Sequence, residues 1–249
     1  MGTKTRTRIS TGRNVLRWTL LIAGLLAAGS DVAVWAQAAT ETADAVEDQI
    51  KAVGGRVVRD DSSTARPIIE VTIQSARLTD ETLASLREPL RGLPHLRRLT
   101  LMSAHVTDEG LRTVAAIPQL RELRFNCQIT GSGVPALKTL PELTSLEFVC
   151  SAELTDAALE SLKDFPKLKS LRLVATPNVT DAGLKTLADI PNLEDLTLRY
   201  TGLTPKGIDS LKGLKHLRAL AVTGPSKDPV TDEQIDDLKR SLPDCRVTR

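Results

Sequence analysis

Aromatic residues are scarce in this sequence: three Phe, two Trp and one Tyr among 249 residues, or 2%. Compact globules commonly fill their centres with large rings. A hydrophobic fraction of 41% without them points to a core of Leu, Ile and Val in thin, regular layers. Cysteine is nearly as rare. Cys127, Cys150 and Cys245 are too few for a disulfide scaffold, and no Cys-x-x-Cys pair suggests zinc. Nor is there a phosphate loop, a nucleophile-base pair or a metal-ligand cluster, so the sequence predicts no enzyme and no cofactor. An excess of basic charge is missing too. Residues 1–38 hold five basic residues (Lys4, Arg6, Arg8, Arg13 and Arg17) against Asp31, and without them 28 basic face 30 acidic residues, a net charge near −2. Such a balance argues against a nucleic-acid binder, which needs a basic stripe to displace counterions.

The basic head is followed by a short apolar run, Trp18–Gly29, and a small-residue end, Ala36-Gln37-Ala38. These are the three parts of a secretory signal, with cleavage expected after Ala38. The alternative is an uncleaved anchor of residues 18–38. The apolar run Trp18–Gly29 is only twelve residues, short of the roughly 20 a spanning helix needs, and extending it would bury Asp31. The expected location is secreted or periplasmic.

From residue 68 the chain repeats. Leu96, Leu120, Leu143, Leu168, Leu193 and Leu217 each open a Leu-x-x-Leu-x-Leu strand motif, at spacings of 24, 23, 25, 25 and 24 residues. Ile68-Ile-Glu-Val71-Thr-Ile73 is an earlier, divergent copy. Behind each strand stands a threonine (Thr79, Thr107, Thr130, Thr155, Thr180, Thr204, Thr231), and in five of seven copies an aspartate follows it. This predicts a helix N-cap with an acidic first position against the helix dipole. Copy six has Pro205 there, which suits a first helical position. Copy three has Gly131 and a late Pro135, so its helix should start late or be a short 3₁₀ turn. Apolar pairs three apart, such as Leu159/Leu162 and Leu184/Leu187, turn each helix inward. Pro94, Pro118, Pro141, Pro166 and Pro191 stop it. One unit cannot bury its own leucines, but seven stacked units can.

Residues 68–249 resemble the leucine-rich-repeat superfamily, and Val179-Thr-Asp-Ala-Gly-Leu184 looks like its GALA-like or cysteine-containing subclass, of secreted bacterial type. The resemblance implies an α/β solenoid, a horseshoe with a parallel sheet on the concave face and short helices on the convex face. Asn, frequent at the ninth position of such repeats, is absent. Ala76, Ala104, Gln128, Ser151, Thr176, Thr201 and Pro225 stand there instead, so the turn hydrogen bonds must be made differently. The expected domains are a signal at 1–38, a linker and capping helix and strand at 39–67, seven repeats at 68–242 and a cap strand at 243–249. In the capping part, Val46, Ile50 and Val53 share a helix face and Arg56–Arg59 forms an edge strand.

Several candidate sites follow. His95 and His216 occupy equivalent slots five strands apart, roughly 24 Å at about 4.8 Å per strand, too far to share a metal. Cys127 and Cys150 fall at one repeat position in neighbouring copies, a candidate disulfide, although two small semi-buried thiols is the plainer reading. Strand alternation sends Arg98, Arg124, Glu147, Arg172, Asp195 and Arg199 to the outward face, with Tyr200 just beyond. A protein partner of unknown identity held on that face is the expected function. A self-associating envelope component is the alternative, as is a membrane link only through an uncleaved N-terminal segment.

Overall fold

The computed structural model describes residues 31–224 and 230–249, with side chains from residue 42 onward. The signal-like run through residue 30 lies outside the described residues, as does Pro225. Residues 31–38 are the start of a helix, α1 (Asp31–Ala52). Thr42–Arg249 forms one compact unit.

That unit is built on a single nine-stranded open sheet in which every strand neighbours the next in sequence. The first strand, β1 (Gly55–Arg59), runs antiparallel to β2 (Ile68–Gln74), with an irregularity between Val58 and Arg59. All further pairs are parallel: β3 (Arg98–Ser103), β4 (Glu122–Cys127), β5 (Ser145–Val149), β6 (Ser170–Val174), β7 (Asp195–Arg199), β8 (Ala219–Thr223) and β9 (Arg246–Thr248). Parallel neighbours need a crossover, and short helices supply it. These are α2 (Asp80–Arg91), α3 (Asp108–Val114), a 3₁₀ turn (Val134–Thr139), α4 (Asp156–Glu160), α5 (Asp181–Thr186), α6 (Ile208–Leu211) and α7 (Asp232–Ser241). The third copy starts late and is 3₁₀, as Gly131 and Pro135 imply. Helices α4 and α5 also tighten into 3₁₀ turns at their ends.

The core is a set of ladders. Leu99, Leu123, Leu146, Leu171, Leu196 and Leu220 stand in register and are buried, as are Leu101, Phe125, Phe148, Leu173, Leu198 and Val222. Two of the scarce aromatics, Phe125 and Phe148, stack at 5.7 Å between ring centroids. At the N-terminal end Ile50 and Val46 of α1 are buried in the same cluster. Helix α1 is tied to β1 by Arg59, whose Nη2 donates to Glu47 Oε2 at 2.7 Å and to Asp44 Oδ1 at 2.5 Å.

Where the aspartates turn departs from the sequence expectation. Thr79, Thr107, Thr180 and Thr231 do accept helix-start amides. The aspartates after Thr79, Thr107, Thr155 and Thr180, however, reach across to the next repeat. Asp80 accepts from the Thr107 amide (3.0 Å) and hydroxyl (2.7 Å). Asp156 does the same with Thr180 (2.7 and 2.7 Å), and Asp181 with Thr204 (2.8 and 2.5 Å). Asp108 accepts from Thr130 through both groups and from the amides of Gly131 and Gly133. Each rung therefore joins consecutive repeats by charge-assisted bonds, stronger than neutral ones.

The rung explains the glycine three residues after the threonine. A Cβ on Gly183 would lie 2.3 Å from Asp156 Oδ1, and one on Gly207 would lie 1.9 Å from Asp181 Oδ1. Glycine stands there when the preceding repeat offers an aspartate (Gly110, Gly133, Gly183, Gly207) and not otherwise: Ala158 follows Gly131, and Gln234 follows Pro205. Gly131 itself holds φ +106, and a Cβ on it would strike Ala158 Cβ at 2.5 Å. Thr155 at this seam makes no side-chain cap.

Candidate functional site

The sheet has a helix side, which is the core, and an open face. Outward residues stand there in rows across the strands. The first row runs Glu70, Arg98, Glu122, Ser145, Ser170, Asp195, Ala219, Arg246. The second runs Thr72, Thr100, Arg124, Glu147, Arg172, Thr197, Ala221, Thr248. The structure thus gathers Arg98, Arg124, Glu147, Arg172 and Asp195 onto two adjacent rows. Arg199 belongs to a third row, opposite Thr223, and Tyr200 follows it at the rim, 57% exposed.

The two halves of this face differ in charge. Across β2 to β6 the side chains pair with one another. Arg98 bridges Glu70 (2.9 Å) and Glu122 (2.6 Å), and these partners hold its guanidinium more firmly protonated than usual. Glu147 lies 3.7 Å from the Nε of both Arg124 and Arg172. A depression of about 320 Å³ sits over this charged mosaic. Exposed pairs of this kind contribute little to stability, about 0–1 kcal/mol each. Across β6 to β9 the floor is small: Ser170, Thr197, Ala219 and Ala221 line a second depression of about 300 Å³, rimmed by Arg172, Asp195, Arg246 and Thr248. Among the described residues Asp195, Arg199 and Arg246 make no ion pair with one another or with neighbours.

Cys127 and Cys150 are not brought together as the sequence alignment implied, and both are free thiols. Cys127 points inward, its thiol donating to the Leu101 carbonyl at 3.3 Å, and burial pushes its pKa up to about 11. Cys150 is exposed and holds φ +53. Ala175 and Tyr200 hold the same left-handed backbone, at φ 53 and 54. These three are extra residues that turn the chain after β5, β6 and β7, and they carry the next residue inward. Ser151, not Cys150, is therefore the counterpart of Cys127, and its hydroxyl donates to the Cys127 carbonyl at 3.1 Å. Ser103 likewise donates to Leu78 O at 2.7 Å. Ser103, Cys127 and Ser151 so make turn bonds for which Asn is absent, whereas the equivalent Thr176 hydroxyl is buried without a partner among the described residues.

His95, His105 and His216 are exposed; His95 and His105 flank the two ends of β3, and His216 precedes β8, five strands on. Among the described residues no three His, Cys, Asp or Glu gather as a metal-binding group. What sequence reasoning missed is the small-residue floor on β8 and the Arg246 rim on β9, because the final strand reads only as a truncated motif.

The family model of the Leucine Rich repeat matches residues 92–115, the copy that contains β3 and α3. No curated protein matches the chain in sequence. Among solved structures it is similar to an internalin from Listeria monocytogenes, at 23% identity over 71% of this chain and 52% of that one, TM-score 0.49. A Bacteroides fragilis protein shows 19% identity over 72% and 64%, TM-score 0.48. An internalin C2 from Listeria monocytogenes shows 21% over 84% and 75%, TM-score 0.43. The chain spans about half the length of the first and under two thirds of the second. With the matched copy recurring along an open parallel sheet, the fold is a leucine-rich-repeat solenoid.

Proposed function

We propose that this chain is a non-enzymatic, extracytoplasmic leucine-rich-repeat protein that holds a protein partner on the open face of its sheet. One observation carries the reading. The long polar side chains of the strands, Arg98, Arg124 and Arg172 among them, stand about half exposed on a face that no helix covers among the described residues. Arg and Tyr are the residues that most often dominate an interface, and Tyr200 stands exposed at the rim after β7. The Leu/Val-Thr-Asp-x-Gly-Leu units place the chain, in our reading, in the GALA-like subclass. Its domains are a signal (1–38), a capping segment (39–67), seven repeats (68–242) and a cap strand (243–249). Export rests on the basic head, short apolar run and Ala36-Gln37-Ala38. Among the described residues no helix is long and apolar enough to cross a membrane.

Self-association through the sheet edges finds less support. The terminal strands carry Arg56, Arg59 and Arg246, β1 is irregular and β9 has three residues, all features that discourage edge pairing. The test is a photo-crosslinking side chain at Thr197, on the open face, or at Lys185, on α5, in the exported protein. A protein adduct from Thr197 alone supports the reading. An adduct from Lys185 alone, or an adduct only with a second copy of this chain, contradicts it.

A further inference from the structure

The open face is not uniform, and its two halves differ in what they offer a partner. From β2 to β6 every prominent charge already has an opposite neighbour: Arg98 lies between Glu70 and Glu122, and Glu147 between Arg124 and Arg172. A partner landing there must break those pairs or sit above them. From β6 to β9 the rows change to Ser170, Thr197, Ala219 and Ala221, and the backbone becomes approachable. Here the cations outnumber the anions. Arg246 and Arg199 have no ion-pair partner among the described residues, Arg172 has only a 3.7 Å contact with Glu147, and Asp195 is the one acid on the rim.

We infer that the β6–β9 depression seats an acidic peptide segment of the partner, extended across the strands over the Ala219/Ala221 floor, with its carboxylates on Arg172 and Arg246. This rests on the protein-binding reading above and adds the partner's chemistry to it. Charge complementarity chooses the sign, since complementary potentials set specificity at interfaces. The Arg–carboxylate pair is also the geometry that guanidinium groups favour. Asp195 chooses the class. It stands in the first row between Ser170 and Ala219, two strands from Arg246. A uniformly charged polyanion would place negative charge on it. A peptide brings a backbone amide or a hydroxyl that Asp195 accepts from. Spacing narrows the sequence further. Arg172 and Arg246 lie three strands apart and one row apart, roughly 15 Å at about 4.8 Å per strand. An extended peptide rises about 3.3 Å per residue, so its two acids should stand about four positions apart.

The experiment uses the exported chain and fluorescein-labelled decapeptides of Ser, Gly and Thr, read by anisotropy at about 0.15 M salt. One carries two Glu four positions apart. Its controls carry two Gln or two Lys at the same places, or two Glu side by side. A heparin oligosaccharide serves as the polyanion. The spaced Glu peptide is expected to bind at least about tenfold tighter than the Gln, Lys and adjacent-Glu peptides. Arg172→Glu and Arg246→Glu should each weaken it about tenfold or more, and the size-conserving Arg172→Gln and Arg246→Gln should shift it the same way by less. Melting curves of the Gln variants establish that the fold is kept. Asp195→Asn should narrow the preference for the Glu peptide over heparin, since the peptide loses a charged acceptor and the polyanion loses a repulsion. Equal or better binding of the Gln or Lys peptide overturns the acidic assignment. Heparin binding as tight as the Glu peptide overturns the peptide class. Glu-peptide binding that survives both Arg reversals overturns the location. In each of these cases an adduct from Thr197 would leave the protein-binding reading standing, so the two fail separately.

Discussion

Asp156 and Gly183 show how a single pair of residues carries the repeat. The carboxylate takes both the amide and the hydroxyl of Thr180 at 2.7 Å, and the glycine leaves room for it. Gly183→Ala should cost about 1–3 kcal/mol by overpacking. In an Asp156→Ala background the same change should cost less, because the atom it strikes is gone. A double-mutant cycle from denaturant melts measures this coupling, and strict additivity would contradict the rung. Core and rung can be ranked as well. Leu171 is fully buried in the central strand ladder, so Leu171→Ala should cost about 2–5 kcal/mol. Thr180→Ala removes a cap and half a rung and should cost about 1–2 kcal/mol. Melts that reverse this order would contradict the assignment of core and edge positions. The leucine ladders were legible in the sequence because burial repeats with the period of the fold. The aspartate rungs were not, since a lone Thr-Asp pair reads equally well as a helix cap. Only the stacking of one repeat on the next reveals that Gly110, Gly183 and Gly207 answer the aspartate before them.

At the scale of elements, the rungs divide the stack. They join β2–α2 to the two copies after it, and α4 to the two copies after that. Between them, at Gly131 and Thr155, a backbone bond of 3.4 Å from the Thr155 amide to the Thr130 carbonyl stands in place of a rung, beside the Ser151–Cys127 bond and the Lys138–Asp164 pair. Repeat proteins are held by nearest-neighbour terms, so this seam should open before the rung-joined junctions on either side of it. Native-state hydrogen exchange is expected to find the Thr155 amide less protected than those of Thr107, Thr130, Thr180 and Thr204. Equal protection would remove the seam. Asp108, beside it, gives a pH signature. Burial alone would raise its carboxyl pKa, but the bonds from Thr130, Gly133 and Gly131 outweigh that and hold it below the ordinary value. A lowered folded pKa stabilises above the unfolded value of about 3.9 and is lost as pH falls through the folded one. Asp108→Asn should therefore cost about 2 kcal/mol near neutrality, a difference that fades below about pH 4. A gap that persists in acid would contradict this. Loop turns were the least legible elements. Counting from the strand leucine put Cys150 opposite Cys127, and the left-handed residue at 150 displaces it. Nothing in the side chains of Cys150, Ala175 and Tyr200 announces that backbone; a spacing of 25 residues traces it in the copies of Cys150 and Ala175, and the copy of Tyr200, at 24 residues, carries no such trace.

For the whole molecule, the sheet has one face covered by helices and one open, and the proposed export would carry that open face out of the cytoplasm. Alternation along the strands located Arg98, Arg124, Arg172 and Arg199 from sequence, because a period of two decides which face a residue takes. The floor at Ala219 and Ala221 was not legible, since small residues carry no signal until the register sets them beside Asp195 and Arg246. Expression in an exporting host should give a mature N-terminus at Ala39, read by mass analysis; an intact N-terminus retained in the membrane would contradict cleavage. The most direct measurement is the affinity of the open face for the partner crosslinked at Thr197, compared between the wild type and an Arg172→Ala, Tyr200→Ala double variant. Both side chains are exposed, so the melting curve should stay within about 1 kcal/mol of wild type. The account predicts a loss of at least tenfold in affinity, about 1.4 kcal/mol. An unchanged affinity, with the fold intact, would contradict the claim that this face is where the protein binds.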